Sequence, residues 1–219
     1  NDAFIVNPGQ NGEKVDEDAS LQLVEDYLCN GWDKENGRIE LIVTVAEARG
    51  TTEELSKVKD VLGTFSTSFK TSGSGRSANV RNGCALINGT TLYPGDEFST
   101  YDAVSPFSEA NGYFLAGSYL NGQVVDSLGG GICQVSSTLY AAMCDALLPV
   151  IERYPHSSHV SYIPVGMDAT ISEAGGKDLK FINIGQDPLK IVAETNEGTM
   201  TVSIYLVSKE TLETVMCMQ

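Results

Sequence analysis

The chain has 219 residues, of which 42% are hydrophobic, and its formal net charge at pH 7 is −15. This apolar fraction can fill a core, which excludes a globally disordered chain, and the length fits one large domain or two small ones. The acidic balance argues against nucleic-acid and anionic-lipid partners, because both are bound through clustered Lys and Arg. The sequence has no apolar run of about 18 residues, which a membrane-spanning helix would need.

The first third of the chain predicts a small α+β unit. We expect a strand at residues 4–6, a helix that is capped around 18–20 and ends at Gly31, a strand at 38–45 and a short helix from residue 51. Small polar residues then dominate positions 64–77 and indicate a linker. We therefore place a domain boundary between residues 63 and 64, which gives domains 1–63 and 64–219.

The second domain predicts two helices, at residues 77–87 and from Gln134 to about Leu148, and a hairpin around Asn121-Gly122. Turns are expected at Asn88-Gly89 and Pro94-Gly95. The expected strands lie at residues 91–93, 160–163, 169–171, 179–184, 189–194 and 199–207. The fold class is therefore α+β: a small α+β N-terminal module precedes a mixed domain whose cysteine-bearing helix packs on a largely antiparallel sheet.

The run GGGICQVSSTLY at residues 129–140 places a cysteine behind three glycines and at the start of a helix. Unpaired N–H groups and the helix dipole favour negative charge there. The position of Cys133 is therefore expected to favour the thiolate, which is the nucleophilic form, over the thiol. The alternative is a buried structural cysteine behind a glycine turn. The five cysteines are odd in number and have no paired spacing, which argues against a disulfide framework and a zinc site.

A cysteine nucleophile needs a base, and the chain offers only His156 and His159. A strand that starts at Val160 and runs back beside the helix would bring one imidazole to Cys133. Two histidines also suggest a metal site, but no acidic or cysteine ligand has matching spacing on a helix. We therefore expect no metal, and no other cofactor.

The group that orients the base is expected to be Asp168, with Asp178 and Asn183 as the next candidates. Asp168 lies in a Gly-Met-Asp-Ala turn, where its carboxylate would equally well satisfy backbone amides. Both interpretations of this residue stay open.

Further candidates would contact substrate. Arg153 either pairs with Glu152 or another surface carboxylate, or clamps a substrate carboxylate in bidentate fashion. Ser136 and Ser137 lie within one turn of Cys133, as first-turn hydroxyls or as hydrogen-bond partners of substrate. The backbone amides around Cys133 would form an oxyanion hole.

Five segments, in this order, resemble the VanW domain family. They are PGDEFS at 94–99, NGYFLA at 111–116, GGGICQVSSTLY at 129–140, ERYPHS at 152–157 and YIPVGMDAT at 162–170. The resemblance covers residues 64–207, and residues 1–62 resemble more loosely the end of a peptidoglycan-binding module.

The resemblance implies a bacterial cell-envelope enzyme that forms 3-3 peptidoglycan cross-links by L,D-transpeptidation. The matching nucleophile is Cys133, and the histidine of the family's Arg-x-x-His-Ser pattern is His156, whereas His159 is less characteristic. The implied partners are stem peptides, a donor tetrapeptide and an acceptor amine. The implied location is extracellular, with the parent protein tethered to the membrane by a segment outside this sequence.

In that mechanism Gly130 and Gly131 let the peptide backbone approach, and Tyr113 lines the groove unless it simply packs in the core.

Two other functions stay open. One is a non-catalytic peptidoglycan- or glycopeptide-binding module with a buried Cys133, and the other is a Cys-His peptidase of the same bonds.

Overall fold

The computed structural model describes residues 4–120 and 123–206. The described residues form two compact units, one of residues Ile5–Leu55 and the other of Phe4 together with residues 56–120 and 123–206. The division therefore lies eight residues before the predicted boundary at 63/64. The predicted linker instead begins within a long strand, Asp60–Ser68.

The first unit is a two-stranded antiparallel sheet with short helices. Its elements are β1 (Gly12–Val15), α1 (Glu17–Asp26), a π-helical turn (Tyr27–Gly31), β2 (Val43–Ala46) and α2 (Thr52–Ser56). The helical segment does end at Gly31, as predicted. Its N-cap is Asp16, whose carboxylate accepts a hydrogen bond from the Ala19 amide at 3.0 Å, so the predicted cap at 18–20 was wrong. Residues 4–6 form no strand.

The second unit contains most of the regular structure. Its elements are β3 (Asp60–Ser68), α3 (Ser74–Ile87), β4 (Thr91–Leu92), β5 (Glu97–Ser99), α4 (Thr100–Val104), a 3-10 turn (Glu109–Asn111), β6 (Leu115–Leu120), β7 (Gln123–Leu128), α5 (Cys133–Asp145), β8 (Val150–Glu152), β9 (Lys180–Ile182), β10 (Leu189–Asn196) and β11 (Thr199–Leu206). The α+β fold class is confirmed.

The core of this unit lies between one sheet and two helices. The sheet has the order β3-β11-β10-β4, and its paired strands are antiparallel. Helix α5 packs on β3 and β11, and α3 packs mainly on β10. Strands β10 and β11 alternate buried apolar residues with more exposed ones, as expected for strands with one face on a core. The cysteine-bearing helix is thus fixed on an antiparallel sheet, as predicted.

Two smaller sheets flank this core. Strands β5, β9 and β8 form one, and β6 and β7 form the predicted hairpin, whose turn residues 121–122 lie outside the described residues. No helix in the described part of the chain combines the length and apolarity needed to cross a bilayer.

The strands predicted at 160–163 and 169–171 are absent. Val160, Ile163, Ala169 and Ile171 are buried all the same, which explains the strand-like pattern. At Ala169, the backbone hydrogen bonds go to side chains of α5 rather than to a neighbouring strand. Burial alone therefore does not identify a strand here.

Gly63 allows the closest approach between β3 and α5. A Cβ atom there would contact the Ala146 amide nitrogen, and it would lie 2.5 Å from the Ala142 carbonyl oxygen and 2.8 Å from the Asp145 carbonyl carbon. We expect Gly63→Ala to lower the free energy of unfolding by about 1–3 kcal/mol, because the helix backbone must move away. Urea denaturation followed by circular dichroism measures this.

Gly12→Ala is the control, since a Cβ at residue 12 meets nothing within 4 Å. Its free energy of unfolding should stay within about 0.5 kcal/mol of wild type. Equal stability of Gly63→Ala and wild type would contradict the close helix–strand contact.

Candidate functional site

The three glycines before the cysteine have structural reasons to be glycine. Gly129 and Gly131 adopt φ angles of +79° and +100°, which side chains rarely tolerate. A Cβ at Gly130 would collide with the Ala116 carbonyl oxygen of β6. The Gly130 carbonyl also accepts a hydrogen bond from the buried Asn79 side chain of α3 at 2.9 Å. These contacts account for Gly130 and Gly131 without a substrate.

Cys133 is the first residue of α5, and the residue as a whole is of intermediate exposure. The thiol donates a hydrogen bond to the Ile171 carbonyl oxygen, with a sulfur–oxygen distance of 3.5 Å. Burial raises the pKa of Cys133, and the positive charges of Arg76 and Lys177 offset that rise only in part. Desolvation thus opposes the thiolate that the position at the helix N-terminus is expected to favour, and it outweighs the two positive charges.

Ser136 and Ser137 attach an irregular segment, residues 168–171, to α5. Both side chains are fully buried. The Ser136 hydroxyl donates to the Ala169 carbonyl oxygen at 2.7 Å, and the Ser137 hydroxyl donates to the Cys133 carbonyl oxygen at 2.6 Å. The Ala169 amide donates back to Ser137 Oγ at 3.0 Å. The two serines therefore position backbone, and their burial removes them from the substrate-contacting set predicted above.

The His156 backbone and imidazole both bind the Asp168 carboxylate. Oxygen Oδ2 accepts from the His156 amide at 2.6 Å and lies 2.7 Å from Nδ1 of its ring. Burial acts to raise the pKa of Asp168, but the hydrogen bonds from His156 outweigh it and leave the pKa below its usual value. The carboxylate is therefore ionised at neutral pH and suited to accept a proton on Nδ1, which makes Nε2 the ring nitrogen available for proton transfer.

Arg153 binds the other side of Asp168. Its Nε donates to the Asp168 carbonyl oxygen at 2.8 Å, and one Nη lies 3.3 Å from Oδ1. The guanidinium also lies over the Tyr140 ring, 5.0 Å from the ring centroid. Glu152 pairs with Lys180 instead, at 3.3 Å. Arg153 thus pairs with a carboxylate of its own chain, as one of the two predicted roles has it, but the partner is the buried Asp168 and not Glu152 or a surface carboxylate. The other predicted role, a clamp on a substrate carboxylate, stays a prediction.

The remaining predicted residues lie elsewhere. Tyr113 is 1% exposed and donates to the Val104 carbonyl oxygen at 2.6 Å, so it is a core residue rather than part of a groove. His159 is exposed. The Asp178 carboxylate accepts from the Ser99 hydroxyl and the Tyr101 amide, and the Asn183 side chain donates to the Leu92 carbonyl oxygen. Asp178 and Asn183 therefore tie loops to strands and do not orient a histidine.

Cys133 and His156 contact opposite ends of segment 168–171. The thiol contacts Ile171, and the imidazole contacts Asp168. The structure thus connects the predicted nucleophile, base and orienting group through four consecutive residues. The thiol's hydrogen bond goes to a backbone carbonyl and not to the imidazole.

Sequence reasoning missed Arg76, which lies in the first turns of α3. Its Cγ would lie 2.6 Å from a Cβ at Gly131, and its guanidinium lies 5.8 Å from the centroid of the Tyr162 ring. The Tyr162 hydroxyl in turn lies 3.4 Å from Ser137 Oγ. The only sequence signal was an arginine at the end of a stretch interpreted as linker.

Sequence reasoning also missed Lys177. This residue lines a cleft of about 220 Å³, and Ser172, which follows Ile171 in the chain, lines the same cleft. The cleft is formed by Ser99, Tyr101, Asp102, Glu152, Ser172, Glu173, Gly176, Lys177, Asp178 and Lys180. Within the described ranges, no group of three or more His, Cys, Asp or Glu side chains is arranged to hold a metal ion.

Comparison with known proteins identifies relatives. The sequence model of the family described as VanW like protein matches residues 75–205. The chain is 32% identical over 206 residues to the uncharacterized protein YoaR of Bacillus subtilis, an alignment that covers 94% of this chain and 67% of that protein. It is 31% identical over 114 residues to the vancomycin B-type resistance protein VanW of Enterococcus faecalis, covering 48% of this chain and 40% of that protein.

No solved structure matches the chain significantly. The likeness of residues 1–63 to a peptidoglycan-binding module stays a prediction, since the family match begins at residue 75. The family match and the extent of the similarity to YoaR lead to one conclusion: the chain belongs to the VanW family.

Proposed function

We propose that the chain is a cysteine-dependent L,D-transpeptidase that acts on peptidoglycan stem peptides in the cell envelope. The observation that carries the proposal is that Cys133 and the His156–Asp168 pair contact the same four-residue segment at the start of α5. Membership in a family whose relatives include a vancomycin resistance protein supports a role at the cell wall. The reaction class itself comes from the family resemblance.

The first half-reaction forms a thioester. The Cys133 sulfur attacks the carbonyl carbon between the diamino acid at stem position three and the D-alanine at position four. A carbon–sulfur bond forms, the carbon–nitrogen bond breaks, and D-alanine leaves with the proton that His156 had accepted from the thiol. In the second half-reaction the side-chain amine of another stem attacks the thioester and gives up a proton to His156. The new amide bond forms, the carbon–sulfur bond breaks, and His156 returns the proton to the Cys133 sulfur.

The mechanism requires a base because burial raises the pKa of the Cys133 thiol and so favours its protonated form. His156 must take the thiol proton when substrate arrives, and the Asp168 carboxylate stabilises the imidazolium that forms. The amides of Ile132 and Gln134 already donate to the carbonyls of Gly129 and Gly131. In this mechanism the Cys133 amide is therefore the donor to the developing oxyanion.

One observation favours a second candidate, a non-catalytic peptidoglycan-binding module. The Cys133 thiol has a raised pKa and bonds to a backbone carbonyl, as a structural cysteine would. That candidate predicts an unreactive thiol and equal ligand binding by wild type and Cys133→Ala.

Mass spectrometry of purified disaccharide-tetrapeptide incubated with the chain tests the proposal. We expect a cross-linked dimer that lacks one D-alanine with wild type and unchanged substrate with Cys133→Ala. Cys144→Ala is the control, because Cys144 lies near the other end of α5, and it should form the dimer at the wild-type rate. Cleaved monomer without dimer would show a peptidase instead, and unchanged substrate with wild type would contradict both enzymatic functions.

Histidine variants test the proposed base. His156→Ala should lower the turnover rate by about 10²–10⁴-fold, because the thiol then loses its proton acceptor. Asp168→Asn should also lower the turnover rate, since an amide neither fixes the Nδ1 proton nor stabilises the imidazolium. Initial rates of dimer formation at saturating substrate measure both effects.

His159→Ala is the matched control, because His159 is exposed and lies three residues further along the same loop. Its rate should stay within twofold of wild type. A loss for His159→Ala as large as for His156→Ala, with both variants folded, would contradict the assignment of the base.

A further inference from the structure

Two cations lie near residues that neighbour Cys133, in a protein whose net charge is −15. Arg76 reaches Gly131, two residues before Cys133, from α3, and Lys177 lines the cleft that begins beyond Ile171. Both charges act on the Cys133 sulfur. The two cations belong to segments far apart in sequence, and the fold brings both segments close to the neighbours of Cys133.

The Arg76 guanidinium is held in place before any substrate binds. Its Nη1 donates to the Ser72 hydroxyl at 2.7 Å, and its planar group lies against the Tyr162 ring. Tyr162 is in turn next to Ser137 of α5. A guanidinium fixed in this way loses little conformational entropy when it binds a carboxylate, for which its fork of donors is suited.

We propose that Arg76, assisted by Lys177, binds the free carboxylate of the donor peptide's leaving residue. The inference rests on the proposed function and names the residues that recognise its donor, the tetrapeptide that ends one residue beyond the attacked bond. In such a peptide the carboxylate carbon is three bonds from the attacked carbonyl carbon, within about one Cα–Cα step of 3.8 Å. A longer stem would present a neutral amide at the same place.

This role differs from that of Arg153. Arg153 binds the Asp168 carboxylate and carbonyl, which fixes the base, whereas Arg76 and Lys177 are the cations whose charge acts on the sulfur. Arg76 is thus a substrate-binding residue in this account and Arg153 a positioning residue.

Alkylation of Cys133 tests the anion subsite without any transpeptidation. Iodoacetate and iodoacetamide attack the same thiolate, but only iodoacetate carries a carboxylate next to the reacting carbon. The ratio of their rates at Cys133, followed by peptide mass spectrometry at constant pH, therefore cancels any change in the pKa of the thiol. We expect Arg76→Gln to lower the iodoacetate-to-iodoacetamide ratio about fivefold, whereas Arg76→Lys retains most of it.

Arg81→Gln is the matched control, since Arg81 lies on the same helix and over an aromatic ring, 5.4 Å from the centroid of Phe69. Its ratio should equal that of wild type. If Arg76→Gln does not fold, Lys177→Gln carries the same comparison and should also lower the ratio. An unchanged ratio in the folded variant would overturn the inference.

The donor itself separates this inference from the proposed function. The 219-residue chain is given the tetrapeptide with a free carboxylate or with a C-terminal amide. We expect wild type to prefer the acid at least tenfold in kcat/KM, and Arg76→Gln to lose that preference by slowing only the acid. Conversion of neither donor by wild type contradicts the proposed function. Equal conversion of both donors contradicts the inference while the function stands.

Discussion

The attachment of Ala169 to Ser137 determines the geometry of the candidate site. The Ser137 hydroxyl accepts from the Ala169 amide, and the neighbouring Ser136 hydroxyl donates to the Ala169 carbonyl. Because both serines lie on α5 immediately after Cys133, the segment they hold is positioned by the same helix as the nucleophile. Asp168 before Ala169 then fixes His156, and Ile171 after it meets the thiol.

Desolvation and charge oppose each other at this site. Burial keeps the Cys133 thiol protonated despite the helix N-terminus and two nearby cations. Hydrogen bonds from His156 have the opposite outcome at Asp168, whose carboxylate stays ionised although its side chain is only 12% exposed. The site therefore combines a thiol whose pKa is raised by burial with a carboxylate–histidine pair that is fixed by hydrogen bonds.

Local sequence patterns predicted the elements whose contacts are local. Helices α3 and α5 and strands β10 and β11 follow from apolar spacing. Strand β3 was missed because its outward side chains are Thr and Ser. Two of them, Thr64 and Ser66, pair with hydroxyls of β11 at 2.9 and 2.7 Å, so a composition typical of a linker here belongs to a polar strand face.

The site was predictable in its chemistry but not in its connections. The motif at 129–140 indicated Cys133, and the scarcity of histidine limited the choice of base. The contact of Arg153 with Asp168, and the reach of Arg76 from α3 to Gly131, depend on how distant segments fold together. The spacing of residues in the sequence does not indicate which distant segments come into contact, and for that reason Arg76 and Lys177 were missed.

The central claim is that Cys133 carries the acyl group, and trapping that group tests it most directly. The chain is incubated with a donor tetrapeptide whose side-chain amine is acetylated, so that no acceptor amine is present, and is then quenched in acid and digested for mass spectrometry. The account predicts a tripeptidyl group on the peptide that contains Cys133, with D-alanine released in equal amount. Consumption of the donor with Cys133 unmodified, or no consumption at all by the folded chain, would contradict it.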